Sequence, residues 1–185
     1  MSRKNKEKDE ITEISIIGEI SEDNSGFFDD LLNLPPGGEC ILYFDSPGGN
    51  AYTALALLSM IRLRNIHATG VVLGECSSAA ILPFSACKKR YVTRWSTLLF
   101  HPMRWQSEEH VNILEAAEWS RHFKDLEKKL DELLSEQFSA PLSVIEKWTC
   151  PGKYVSGSEL AQAGLAELIP LECLPELRNY LKKLD

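Results

Sequence analysis

The sequence predicts an α/β fold in which helices cover a parallel-rich sheet and one long helix projects from it. Three observations carry that prediction. Short apolar runs at 40–44 and 69–73 alternate with Ala- and Leu-rich stretches at helical spacing. The breaks between them hold Gly, Ser, Pro and Asn in the places where a strand must hand over to a helix. Residues 107–138 contain neither Gly nor Pro and form a single charged, amphipathic stretch.

Residues 1–12 are expected to be a flexible N-terminal segment, with a basic cluster from Arg3 to Lys8, and 13–185 a single domain. Residues 13–20 (EISIIGEI) alternate and then turn apolar, as a first strand would. Gly37-Gly38 gives a turn before the buried-type strand at 40–44. Asp45-Ser46-Pro47-Gly48-Gly49-Asn50 breaks regular structure, and 51–64, poor in β-branched residues, reads as a helix. A strand at 69–73 ends at Gly74, and a short helix of small residues is expected at 77–87. Tyr91-Val92 and 98–100 supply further strands. A helix over 107–138 would reach about 45 Å, too long for so small a domain to bury, so it is expected to pack on another subunit. Pro141 ends it; a helix at 158–163, a strand at 165–169 and a helical tail complete the chain.

Composition narrows the function. A net charge of −7 disfavours nucleic acid and anionic membranes as partners, since both select a basic face. Five scattered cysteines with no Cys-x-x-Cys pair argue against a disulfide framework or zinc site and fit a reducing cytoplasm. No apolar run is long enough to span a bilayer. No phosphate-binding loop of the Walker type is present, so no cofactor is expected and any ATP dependence would come from a partner.

Two motifs could do chemistry. Ser46-Pro47-Gly48-Gly49 reads either as a tight turn with a helix entry or as a loop that brings backbone N–H groups beside a ligand. In Gly74-Glu75-Cys76-Ser77-Ser78-Ala79-Ala80, a serine opens a helix after a strand, which suits a nucleophile beside an oxyanion-binding N–H. The rival assignment makes Ser77 the helix N-cap and Ser78 a small packing residue. His101 stands 23 positions after Ser78 at the edge of an apolar strand, a place that usually holds a structural histidine. His110 and His122 fall in the long charged stretch and His67 in a loop, which makes them weaker candidates.

In combination these pieces are specific. The order of Ser46-Pro47-Gly48-Gly49, Gly74-x-x-x-Ser78, His101, Ile145-Glu146-Lys147, Tyr154-x-Ser156 and Ala163-Gly164-Leu165 resembles the proteolytic subunit of the Clp protease family, from Ile14 to about Ile169. The resemblance implies a crotonase-like fold of repeated ββα units and serine endopeptidase activity on peptides or unfolded proteins inside stacked homo-oligomeric rings. It also implies ring contacts through the long helix, and a possible AAA+ unfoldase as partner. It makes Ser78 the nucleophile, His101 the general base, and the N–H groups of Gly49 and Ala79 the oxyanion hole.

The sequence departs from the family pattern twice. Where the family carries the aspartate of the triad, the ungapped match places Gly152, so the third member is unassigned; Glu108, Glu109, Glu115, Glu118, Glu146 and Glu159 are the nearby acids. The family also has one residue between the histidine and the proline, where this chain has His101-Pro102 directly. Two further readings remain: a catalytically impaired, ring-forming structural or regulatory subunit, favoured by Gly152, and a crotonase-type acyl-thioester enzyme, which would need neither Ser78 nor His101.

Overall fold

In the computed structural model, which describes residues 11–22, 26–107 and 110–171, five strands lie side by side and all run parallel. These are β1 (Thr12–Ile17), β2 (Glu39–Ser46), β3 (His67–Cys76), β4 (Lys89–Val92) and β7 (Glu167–Leu168). Alternation along the strands explains the two cores. Leu42, Phe44, Ala68 and Val72 face a large cluster shared with the helices, while Ile41, Val71, Tyr91 and Ile169 form a smaller one on the other face. Strands buried on both faces read as the continuous apolar runs seen in the sequence.

Helix α1 (Gly26–Asn33) connects β1 to β2, and α2 (Ala51–Leu63) connects β2 to β3. A 3₁₀ turn (Ser78–Ala80) and the short α3 (Ile81–Ser85) lead to β4. A second, smaller ladder matters for the site. β5 (Thr97–Phe100) touches the end of β3 at Glu75 and pairs antiparallel with β6 (Lys153–Ser156), in a register that sets Phe100 against Lys153. Between β5 and β6 the chain runs through α4 (Ile113–Phe138) and α5 (Leu142–Thr149); α6 (Gly157–Gln162) follows β6.

Several expectations are corrected here. The long helix starts at Ile113, not 107, because Asn112 caps it in a box with Glu115 and His110 sits at φ +72°. Ahead of the helix an irregular strap lies along α4, where the Trp105 ring stacks against Phe123 and meets Trp119 edge-on. His110 is thus outside the helix, and His67 opens β3 rather than lying in a loop. Gly74 does not end β3, which continues to Cys76, and the helix expected at 77–87 splits into the 3₁₀ turn and α3. The strand expected at 165–169 shortens to Glu167–Leu168, and the helix at 158–163 shifts to Gly157–Gln162. Helices α1 and α5 were not anticipated. The basic cluster at Arg3 to Lys8 and the C-terminal tail lie outside the described residues. Among those described, no helix is long and apolar enough to cross a membrane.

Candidate active site

The site begins with two turns that meet. After β2, the Ser46 hydroxyl accepts the Gly48 N–H at 3.2 Å, and Asn50 caps α2 by accepting from the N–H groups of Tyr52 and Thr53. Gly48 lies at φ +100°, and a Cβ there would come within 2.7 Å of both the Ser77 carbonyl oxygen and the Ser78 Cβ. Gly49, at φ +141°, presses on the Ile20 backbone so closely that a Cβ would strike the Ile20 carbonyl oxygen. Only glycine fits either place. The motif is a turn with a helix entry, and its glycines pack against the serine loop and the Ile20 backbone.

After β3, Ser77 and Ser78 take different roles. Ser77 is buried and makes no helix cap; its hydroxyl accepts the Leu99 N–H of β5 at 3.1 Å. Ser78 adopts φ +54°, a left-handed conformation that costs a non-glycine residue roughly 1–2 kcal/mol. That bend turns its side chain out of the strand direction at the start of the 3₁₀ turn. The Ser77 tether also fixes β5 two residues ahead of His101.

His101 closes the constellation. Its Nε2 lies 2.8 Å from Ser78 Oγ, and its Nδ1 lies 2.6 Å from the carbonyl oxygen of Pro102. A carbonyl oxygen only accepts, so Nδ1 carries the proton and Nε2 of the neutral ring is bare. The Ser78 hydroxyl therefore donates to Nε2, which is the arrangement a general base requires. Ser78, His101, Gly49 and Ala79 line one cleft of about 370 Å³. Ala79 follows Ser78 at the opening of the 3₁₀ turn, and both Ala79 and Gly49 line the cleft.

Gly152 stands where the sequence placed it. The β5–β6 register carries the chain past Lys153 so that Gly152 meets His101, and a Cβ at 152 would lie 3.4 Å from the His101 Cβ. No side chain reaches the imidazole from there. Three of the acids named from the sequence are engaged elsewhere. Glu115 belongs to the α4 capping box, Glu118 pairs with Arg121, and Glu159 caps α6 while pairing with Lys153. Glu108 and Glu109 lie outside the described residues. Among the described residues, none of these carboxylates is hydrogen-bonded to His101.

Two other acids, absent from that set, do line the cleft: Glu127 and Asp131 on α4. Glu127 Oε1 accepts the Met103 N–H at 3.2 Å, and Asp131 Oδ2 accepts the Thr149 hydroxyl at 3.1 Å. Burial pushes the Asp131 carboxyl above the usual range; the Thr149 bond opposes that, and the charges of Glu127 and Glu146 add to it. A signal for both was present. Positions 127, 131, 134 and 138 fall on one helix face, so two carboxylates run in phase with buried Leu134 and Phe138.

The Clp protease family model matches residues 9–171, most of the chain. The chain belongs to the Clp protease family. Family members are peptidases that usually form oligomeric rings, and the parallel-rich sheet with its long helix is the family fold. Within the Clp protease fold, α4 leaves large apolar side chains open at its start: Ile113 is 86% and Leu114 83% accessible. Leu134 and Phe138, near its end, are buried.

Proposed function

We propose that this Clp protease family member is a serine endopeptidase that cleaves unfolded proteins or peptides within a chamber of stacked rings, with Ser78 as nucleophile and His101 as general base. The observation that supports it is the contact between Ser78 Oγ and His101 Nε2 in a ring whose tautomer is set by the Pro102 carbonyl. In the first step Ser78 Oγ bonds to the scissile carbonyl carbon while its proton passes to Nε2. The oxyanion is received by the N–H groups of Gly49 and Ala79, each such donor worth roughly 3 kcal/mol in the transition state. The imidazolium returns its proton to the leaving amine as the C–N bond breaks, and water then resolves the acyl-enzyme by the same route. Substrate delivery would fall to an AAA+ unfoldase docked on the ring.

Gly152 favours a second reading, a ring subunit of impaired activity. A serine-directed fluorophosphonate followed by intact mass separates the two. A single adduct on the wild type that disappears in Ser78→Ala, with the assembly unchanged, is the result expected of the peptidase. No adduct on a folded, ring-forming protein would leave the structural reading in place. Light scattering gives the assembly: a mass many times 20.8 kDa is expected, and a monomer at micromolar concentration would remove the ring.

A further inference from the structure

We infer that Glu127 acts as a positioning residue that supplies the missing carboxylate charge to His101 through the Pro102–Met103 peptide group. The inference rests on the reading of Ser78 and His101 as nucleophile and base. The two contacts that carry it belong to one peptide unit. Its carbonyl oxygen, on Pro102, accepts the Nδ1 proton of His101, and its N–H, on Met103, donates to Glu127 Oε1. A peptide group is planar and conjugated, so an anion at the N–H end raises the electron density at the oxygen end. Hydrogen bonds in such a chain strengthen one another, and the more so away from bulk water. The carbonyl therefore becomes a better acceptor at the moment His101 takes the Ser78 proton and turns into imidazolium.

Position and surroundings agree with this. Glu127 projects from the middle of α4, a helix of 26 residues fixed at its start by a capping box, and is itself half-buried. Its negative charge is felt inside the cleft, where it helps to hold the Asp131 carboxyl above its usual range. Of the other charged groups, Arg104 on the strap and Asp131 on the next turn of α4 line the same cleft, Glu146 on α5 acts on Asp131, and Lys153 on β6, opposite Phe100, is paired with Glu159.

Glu127→Gln separates charge from tether. Glutamine keeps an oxygen to accept the Met103 N–H but loses the anion. With a fluorogenic peptide, kcat should fall by about threefold to tenfold at constant KM, the difference between a charge-assisted and a neutral hydrogen bond after attenuation through one amide. In ¹⁵N-histidine NMR, with His101 assigned by its loss in His101→Asn, the ring should titrate at lower pH in Glu127→Gln. Its Nδ1 proton should also move upfield. Glu127→Asp, which keeps the charge, should restore part of both effects. A ring titration and a kcat that are both unchanged in Glu127→Gln overturn the relay while leaving the peptidase reading intact. A shifted ring titration in a protein that never labels at Ser78 supports the relay and removes the peptidase reading instead.

Discussion

Restoring a carboxylate at position 152 should help this site far less than the loss of a triad aspartate harms a complete one. In a full triad that loss costs about 10⁴ in rate, because the histidine falls into the wrong tautomer. Here the Pro102 carbonyl already holds the proton on Nδ1. What Gly152→Asp adds is the difference between a charged and a neutral acceptor, about 1–1.5 kcal/mol, or about tenfold in kcat. Against this stands the backbone. Gly152 lies at φ +125°, where an L-residue is strained, although a Cβ would find ordinary room at 3.4 Å from the His101 Cβ. Strain of this kind costs about 1–3 kcal/mol, or roughly 2–12 °C in Tm for a chain of this size. The variant should therefore be faster and less stable. Stopped-assay kcat on a fluorogenic peptide and calorimetric Tm test the two halves separately. A gain of a thousandfold or more would mean that the carbonyl does not set the tautomer. A loss of activity at unchanged Tm would mean that the new side chain crowds the Pro102 carbonyl without replacing it at Nδ1.

Ser77→Ala should leave the fluorophosphonate adduct on Ser78 but lower Tm, because the Leu99 N–H loses its acceptor at a cost of about 1–3 kcal/mol; disappearance of the adduct would reverse the roles given to the two serines. Gly48→Ala should destabilise by about 3 kcal/mol or more and remove labelling, since its Cβ would press on Ser77 and Ser78 at φ +100°. An alanine variant with wild-type Tm and labelling would refute the packing argument. The last of this group concerns acid. The Ser156 backbone N–H first, then Lys153 and the Ser156 hydroxyl, hold the Glu159 carboxyl down at about 2. A depressed folded value means the contribution is complete above the ordinary carboxylate range and is lost as pH falls through the folded value. The Tm difference between wild type and Glu159→Gln should be small because the pair is solvated, steady from neutral pH to about 5, and vanishing toward pH 2. A difference that widens on acidification would contradict the capping-box assignment.

What the sequence made legible was whatever side chains and periodicity encode. The buried parallel strands at 40–44 and 69–73 announce themselves because both faces are apolar, and the glycines at 48 and 49 announce a turn, though not that it packs on the Ser77–Ser78 and Ile20 backbone. Ser78 and His101 were joined, and Gly152 placed near them, only by the resemblance to the family; the contact between Ser78 Oγ and His101 Nε2 and the β5–β6 register that carries Gly152 to His101 are visible in the structure alone. The start of α4 was not. Residues 107–112 have helical composition, but Asn112 offers a better cap, and the aromatic rings of Trp105, Trp119 and Phe123 pull the preceding strap onto the helix side. Glu127 and Asp131 were passed over because a carboxylate in a charged helix reads as solvated surface until its phase with Leu134 and Phe138 is noticed.

The direct His101-Pro102 junction and the glycine at 152 fit one another in the structure. With a proline directly after His101, the backbone of His101 is driven away from the helical region and the φ of Pro102 is fixed near −65°. The Pro102 carbonyl then lies 2.6 Å from Nδ1 of the preceding ring, the place a triad aspartate would claim. A carboxylate at 152 would have to displace that carbonyl or crowd it, so glycine at 152 and the missing spacer after the histidine are compatible as a pair. Reinstating the spacer alone should be worse than either change suggests. Inserting one residue between His101 and Pro102 would withdraw the carbonyl and shift Met103 out of reach of Glu127. His101 would then have no acceptor for Nδ1. The insertion variant should lose most of its peptidase activity and should regain it only when Gly152→Asp is made in the same chain, a dependence that independent local effects would not produce.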